Sequence, residues 1–185
     1  MKAIDKSVPA YYAAGREYHR LRENIGLIEF ERTKEIILES LPKPPAVIYD
    51  IGGAYGEYSW WLAHLGYEVH LFDLSDTNIK MSAELAEEYP DCKLASSEVC
   101  DARNVPRADN SADAVLLMGP LYHITDYDER IKAVNESRRL LKKKRRAFHG
   151  GTDSVFRAAL QHHSLRAKRR RKLFGRPEVF GYGGA

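Results

Sequence analysis

The sequence predicts a doubly wound α/β sheet, mostly parallel, with helices on both faces, and three observations carry that expectation. Residues 46–73 read as strand, glycine turn, helix and strand, with Asp50 and Asp73 as the acids that close the two strands. The first strand is an unbroken apolar run, which suits a strand covered on both faces. Beyond residue 73, helical and strand-like segments keep alternating as far as Leu141, the pattern of a parallel sheet with crossover helices. Right-handed crossover lays successive strands side by side. Both acids then stand at the carboxyl edge, where open α/β sheets bind ligands.

In chain order, residues 8–26 are irregular at Pro9 and Gly15 ahead of a short helix, and Tyr11 and Tyr12 either wall a cleft or simply cover apolar surface. Leu27–Leu41 reads as an amphipathic helix with Ile28, Ile36, Ile37 and Leu41 apolar among Glu29, Glu31, Lys34 and Glu35, the charges forming a solvated face. Pro42, Pro44 and Pro45 stop it. Ala46–Ile51 is the first strand, and Gly52, Gly53 and Gly56 let the backbone turn sharply and come close to a ligand. Glu57–Leu65 has helical apolar spacing through Trp60, Trp61 and Leu65, with Gly66 where a left-handed stop is usual. Tyr67–Phe72 is the second strand. Thr77–Glu88 forms a helix capped by Ser75 or Asp76 and ended by Pro90, and Lys93–Val99 is a third, weaker strand. A polar connection, Arg103–Ser111, precedes the fourth strand, Ala112–Met118. Thr125 or Asp126 caps the helix Tyr127–Leu141, with Ile131, Val134 and Leu141 expected to face inward.

Composition narrows the functional classes. A chain of 185 residues, 44% hydrophobic and 30% charged, suits a globular domain with a substantial core. No run approaches the roughly 20 apolar residues of a membrane span, and the first residues lack the apolar core of a secretory signal, so a cytoplasmic location is expected. Cys92 and Cys100 are too few for a disulfide framework or a cysteine-rich zinc site and read as reduced, buried thiols; no metal is expected. The net charge of +3 hides two unlike pieces: residues 142–185 carry 13 basic residues against 2 acids, and residues 1–141 carry 16 against 24.

The glycine spacing separates two cofactor classes. A dinucleotide fingerprint needs glycines at the first, third and sixth positions, and from Gly52 the latter two are Ala54 and Glu57. Instead Asp50, Gly52 and Gly56 resemble the Asp-x-Gly-x-Gly-x-Gly turn of class I S-adenosylmethionine-dependent methyltransferases, with Ala54 the one departure. The next landmarks fit as well: Asp73 at the end of the second strand, Cys100-Asp101-Ala102 after the third, and the run from Leu117 through Met118, Gly119, Pro120, Leu121, Tyr122 and His123 after the fourth. The last resembles a bacterial subgroup that methylates small molecules. The resemblance covers residues 11–141 and implies a Rossmann-like sheet of order 3-2-1-4-5-7-6, with the C-terminal strands, the last pair above all, expected to be missing or altered here, binding S-adenosylmethionine and releasing S-adenosylhomocysteine.

The resemblance also implies roles. Gly52, Gly53, Ala54 and Gly56 admit the donor, and Asp50 orients the turn or the methionine amino group. Asp73, followed by Leu74, accepts from the ribose hydroxyls, and a carboxylate can take both at once. Asp101 and Ala102 meet the adenine, Met118 and Gly119 close the site, and Tyr12 reaches over it from a segment, 1–45, that caps the cleft above the core at 46–141. Tyr122 and His123 are the candidates for the acceptor side, where a neutral imidazole can take a proton near pH 7; a structural role for His123 stays open. His19, His64 and His70 read as structural or exposed.

After Leu141 the order breaks. A Gly-Gly turn and a fifth strand should follow, and the chain instead gives a basic tail from Lys142. Codon degeneracy allows the frame displaced by one nucleotide to read Lys-Lys-Gly-Gly-(Arg or Leu)-Phe-Met-Ala-Ala there, so a frameshift at the lysine codons is one expectation for residues 142–185. The rival is a purposeful basic helix toward nucleic acid or an acidic surface; no base-reading motif is visible, and nucleic acid is not the expected partner. The partner expected is a small-molecule methyl acceptor, with homodimerisation through an exposed sheet edge as a further expectation. The alternative to an enzyme is a non-catalytic, cofactor-binding remnant.

Overall fold

The computed structural model describes residues 24–143. The elements are α1 (Asn24–Ser40), β1 (Val47–Ile51), α2 (Glu57–His64), β2 (Glu68–Asp73), α3 (Asp76–Leu85) running into a 3₁₀ turn (Ala86–Glu88), β3 (Ser96–Val99), β4 (Ala114–Leu116), the single turn α4 (Pro120–His123) and α5 (Tyr127–Leu140). The four strands form one parallel sheet in the order β3-β2-β1-β4. The strand order 3-2-1-4 of the Rossmann-like sheet is therefore present. Tyr12, the part of the expected capping segment before residue 24 and the tail from residue 144 lie outside the described residues.

Burial on both faces explains the unbroken apolar runs. Ile48, Ala114 and Leu116 pack on one face with Ile37 of α1 and Leu62 and Ala63 of α2. Tyr49, Ile51, Val115 and Leu117 pack on the other with Ala133 and Leu140 of α5. Strand residues of alternating parity thus serve two cores. A smaller cluster of Tyr55, Trp60 and Leu85 joins α2 to α3, where Trp60 stacks on Tyr89 and donates from Nε1 to Ser82 Oγ at 3.0 Å.

Two helix faces differ from expectation. Ile28 is 70% exposed, because α1 packs through Phe30, Lys34, Ile37 and Leu41, an i, i+4, i+7, i+11 stripe. Lys34 belongs to that stripe rather than to a solvated face: its ammonium lies 4.6 Å from the Phe30 ring centroid and 5.4 Å from that of Trp61. In α5, Ile131 is 39% exposed and Val134 and Leu141 are only half-buried, while Glu129, Ala133, Ser137 and Leu140 are buried. Small residues let that face approach the sheet, and Glu129 turns toward an arginine described below.

The ends are set by local chemistry. Ser75 caps α3 by accepting from the Asn78 amide at 3.3 Å, and Asp126 caps α5 by accepting from Asp128 and Glu129. Gly66, at φ +88, stops the turn after α2. β3 is shorter than its apolar reading, starting at Ser96. β4 keeps Ala114–Leu116, while Ala112 forms a separate parallel bridge to Leu141, where the chain returns beside the amino end of β4. Cys92 and Cys100 are free and half-buried rather than fully buried. His64 is exposed and His70 bonds Ser96 through Nδ1 at 2.9 Å. Among the described residues no helix is long and apolar enough to cross a membrane.

Candidate cofactor and active site

The carboxyl ends of β1, β2 and β4 meet at the glycine turn. Gly52 has φ +70 and Gly56 φ +91, so both occupy backbone space that side chains rarely adopt. The Gly52 amide donates to Phe72 O at 2.7 Å, which ties the turn to the last residues of β2. A Cβ on Gly52 would lie 2.3 Å from Pro120 Cδ, and one on Gly119 would lie 2.6 Å from Gly52 O. The loop after β4 therefore rests directly on the turn, and that contact brings Met118, Gly119, Tyr122 and His123 to the same edge. Met118 and His123 are half-buried and Tyr122 is 70% exposed. Ala54, the departure from the glycine pattern, has φ +53, so it takes the strained conformation a glycine would adopt freely.

Three acids stand at this edge in three different environments. Asp50 is fully buried under the turn and accepts from Ser59 Oγ at 2.7 Å. Burial pushes its carboxyl up, the Ser59 hydrogen bond opposes this, and the Asp73 charge adds to the rise, bringing it to about 6. A Cβ on Gly53 would come within 2.5 Å of Asp50 Oδ2, so the missing side chain there makes room for the acid. Asp73 is half-buried and already accepts three protein donors: the Ser75 amide and Asn78 Nδ2 on Oδ1 at 2.9 and 3.0 Å, and the Ala54 amide on Oδ2 at 2.9 Å. A carboxylate has about four acceptor directions. One remains, on Oδ2, so taking two ribose hydroxyls at once requires the Ala54 bond to open.

Asp101 lies two residues past Val99, the register partner of Asp73. Arg103 donates to it from its backbone amide and from Nε and Nη2, and also pairs with Glu129 of α5 at 2.6 Å. Partial burial pushes the Asp101 carboxyl up, but the Arg103 hydrogen bonds and charge prevail and hold it below the usual carboxylate range. Ala102 is buried in the second core, whereas Leu74 and Val99 are exposed apolar side chains at the ends of β2 and β3. Ser59, Asn78 and Arg103 escaped the sequence reading. The only signals were an amide in the first turn of a capped helix and an arginine two residues after an acid.

The carboxylate acceptors fit a ligand that offers hydroxyl and amino hydrogens across a glycine turn. Fold and site together define a class I S-adenosylmethionine-dependent methyltransferase. The methyltransferase-domain family matches residues 49–148, more than half of the chain, and the chain belongs to that family. It is 29% identical over 116 residues to the ubiquinone/menaquinone biosynthesis C-methyltransferase UbiE of Acidiphilium cryptum, across 62% of this chain and 45% of that protein. Among solved structures it resembles a Pyrococcus horikoshii protein at TM-score 0.58 and 25% identity, covering 69% of this chain and 61% of that one. It also resembles a SAM-dependent methyltransferase of Methanosarcina mazei at TM-score 0.52 and 30% identity, covering 58% and 52%. The chain spans less than half of the length of its curated relative.

Proposed function

We propose that this protein transfers a methyl group from S-adenosylmethionine, in line, to an oxygen, nitrogen or carbon nucleophile of a small molecule. The observation that carries the reading is Asp73, held by three donors and tied to the glycine turn through the Ala54 amide, with one acceptor direction left for a hydroxyl. S-adenosylmethionine, when bound, supplies an electrophilic methyl group that already carries its leaving group. The chain's own work is positioning and exclusion of water. Asp50 lies under the turn where it can orient the backbone or meet a cationic amino group. Asp101 offers an acceptor to the base, and Leu74 an apolar surface. Tyr122 and His123, set on the turn by Pro120, face the acceptor side; His123 takes a proton where the acceptor must lose one.

Calorimetric titration with S-adenosylhomocysteine at low and moderate salt tests this. One salt-insensitive site per chain is expected, and Asp73→Ala removes it. A folded wild-type chain that does not bind would overturn the proposed function and the cofactor-binding remnant alike. Binding that survives Asp73→Ala would place the cofactor elsewhere.

A further inference from the structure

Ala54 stands where the glycine turn meets Asp73, and it is the one residue of that turn to take a left-handed backbone while carrying a side chain, with φ +53. Two contacts hold it there. Its amide donates to Asp73 Oδ2 at 2.9 Å, and it packs against the cluster of Tyr55, Trp60 and Leu85. Asp73 Oδ1 is filled from the other side by the Ser75 amide at 2.9 Å and Asn78 Nδ2 at 3.0 Å. Those two donors belong to the start of α3, where Ser75 caps the helix and Asn78 is buried. Of the three donors on Asp73, Ala54 is therefore the one whose release relieves strain.

We infer that Ala54 sets how strongly the site prefers an intact ribose diol: its amide occupies the acceptor that a second hydroxyl needs, and ligand binding opens that bond and lets Ala54 leave the left-handed region. The inference rests on the cofactor reading above. One hydroxyl takes the free direction on Oδ2 without disturbing the turn. A second must displace a donor, and a hydroxyl on the carboxylate replaces the lost amide bond with another charge-assisted one. That exchange is close to even, so the strain at Ala54 tips it. The movement required is a rotation of the 53–54 peptide about its flanking Cα atoms, which changes ψ of Gly53 and φ of Ala54 together. Gly53 has no side chain to resist the new ψ, and the Ala54 Cα stays in place, so its methyl keeps its packing. The rotation also releases the Gly56 amide from Gly53 O, 3.0 Å away here, a single backbone bond that opposes opening. A glycine at 54 would hold the closed bond without strain, and opening would then lose its advantage.

The test is calorimetric titration of the full chain and of Ala54→Gly with S-adenosylhomocysteine and with its 2′-deoxy and 3′-deoxy analogues. The wild type should prefer the intact diol by about tenfold or more, the range of one hydrogen bond to a charged group. Ala54→Gly should shrink that preference by about fivefold or more, the strain of a left-handed alanine expressed as affinity. Glycine's extra freedom in the free chain weakens all three ligands alike, so the ratio between them carries the result. A crystal structure of the wild type with S-adenosylhomocysteine should show Ala54 at negative φ with its amide away from Asp73. A complex that keeps the positive φ and the Asp73 bond overturns the inference, as does a ratio that Ala54→Gly leaves unchanged. A wild type that binds the diol and both deoxy analogues equally overturns the inference and leaves the cofactor site standing. A wild type that binds none of them overturns both.

Discussion

Gly52 is where the loop after β4 is locked onto the glycine turn, and a double-mutant cycle with Pro120 measures that lock. Gly52 has φ +70, and alanine in this region costs roughly 1–2 kcal/mol. The new Cβ would stand 2.3 Å from Pro120 Cδ and 2.4 Å from Cγ, more than an ångström inside ordinary carbon contact, and overpacking of that kind costs roughly 1–3 kcal/mol. The stiffer unfolded chain returns about 0.4–1 kcal/mol. Gly52→Ala should therefore destabilise by about 2–4 kcal/mol. Gly66→Ala provides the reference. It shares a positive φ of +88, but its nearest neighbour would be Pro44 Cβ at 3.9 Å, an ordinary contact, so it should cost only about 1 kcal/mol. Pro120→Ala removes the ring atoms and leaves the backbone. In that background Gly52→Ala should cost about 1–3 kcal/mol less than in the wild type, read from urea unfolding at constant m-value. A coupling below about 0.5 kcal/mol would mean that Pro120 does not sit on the turn. Tyr122 and His123 would then lose their place beside the cofactor.

Asp50 binds its proton more tightly in the folded chain, at about 6, than unfolded, near 3.9, so its contribution to stability is present below about pH 4 and is lost as the pH rises through 6. Asp50→Asn, which mimics the protonated acid, should gain on the wild type by on the order of 3 kcal/mol between pH 4 and pH 8 in denaturant titrations; a pH-independent difference would contradict the buried placement. Arg139 donates to the carbonyls of Val105 and Arg107 as well as to Glu136, so Arg139→Ala should cost about 1–2 kcal/mol. It should also speed amide exchange in residues 105–111 more than in the strands, and uniform acceleration would argue against a local anchor. Tyr122→Phe and His123→Asn should leave S-adenosylhomocysteine affinity within about threefold, under about 0.7 kcal/mol; a larger loss would move these residues to the cofactor side.

The strand-turn-helix-strand unit was legible because each part has a local cause. An apolar run buried on both faces, glycines that must take positive φ, and a Ser or Asp at a helix start each act within a few residues. The position of Gly119 against Gly52 was not legible, since 67 positions separate residues that touch only after β4 joins β1. Helix faces failed for a related reason. The apolar count in α1 favoured Ile28, but packing chose the stripe through Lys34, whose stem and ammonium are accommodated by Phe30 and Trp61. In α5 the small residues Ala133 and Ser137, not the large Ile131, decide which side meets the sheet. The acids were legible as residues and as positions. Their partners were not, because Ser59, Asn78 and Arg103 are recruited by the geometry of the turn, the cap and the loop.

Those partners give the three acids different chemistry. Asp73 and Asp101 are each surrounded by N–H donors, and at Asp101 the Arg103 hydrogen bonds hold the carboxyl below the usual carboxylate range. Among the described residues Asp50 has one hydroxyl donor and no cation, and it is fully buried, so its ionised form is the least compensated of the three. A cationic group arriving at the turn would supply the missing charge, whereas a neutral one would not. On the reading proposed above, Asp50 is thereby suited to report the charge of the ligand's amino acid end, while Asp73 has an acceptor for a neutral hydroxyl. In the proposed complex, binding then favours the ionised state of Asp50, and affinity for S-adenosylhomocysteine should fall as the pH drops below about 6. Asp50→Asn should flatten that dependence in calorimetric titrations across this pH range, and an unchanged profile would separate Asp50 from the ligand's cationic end.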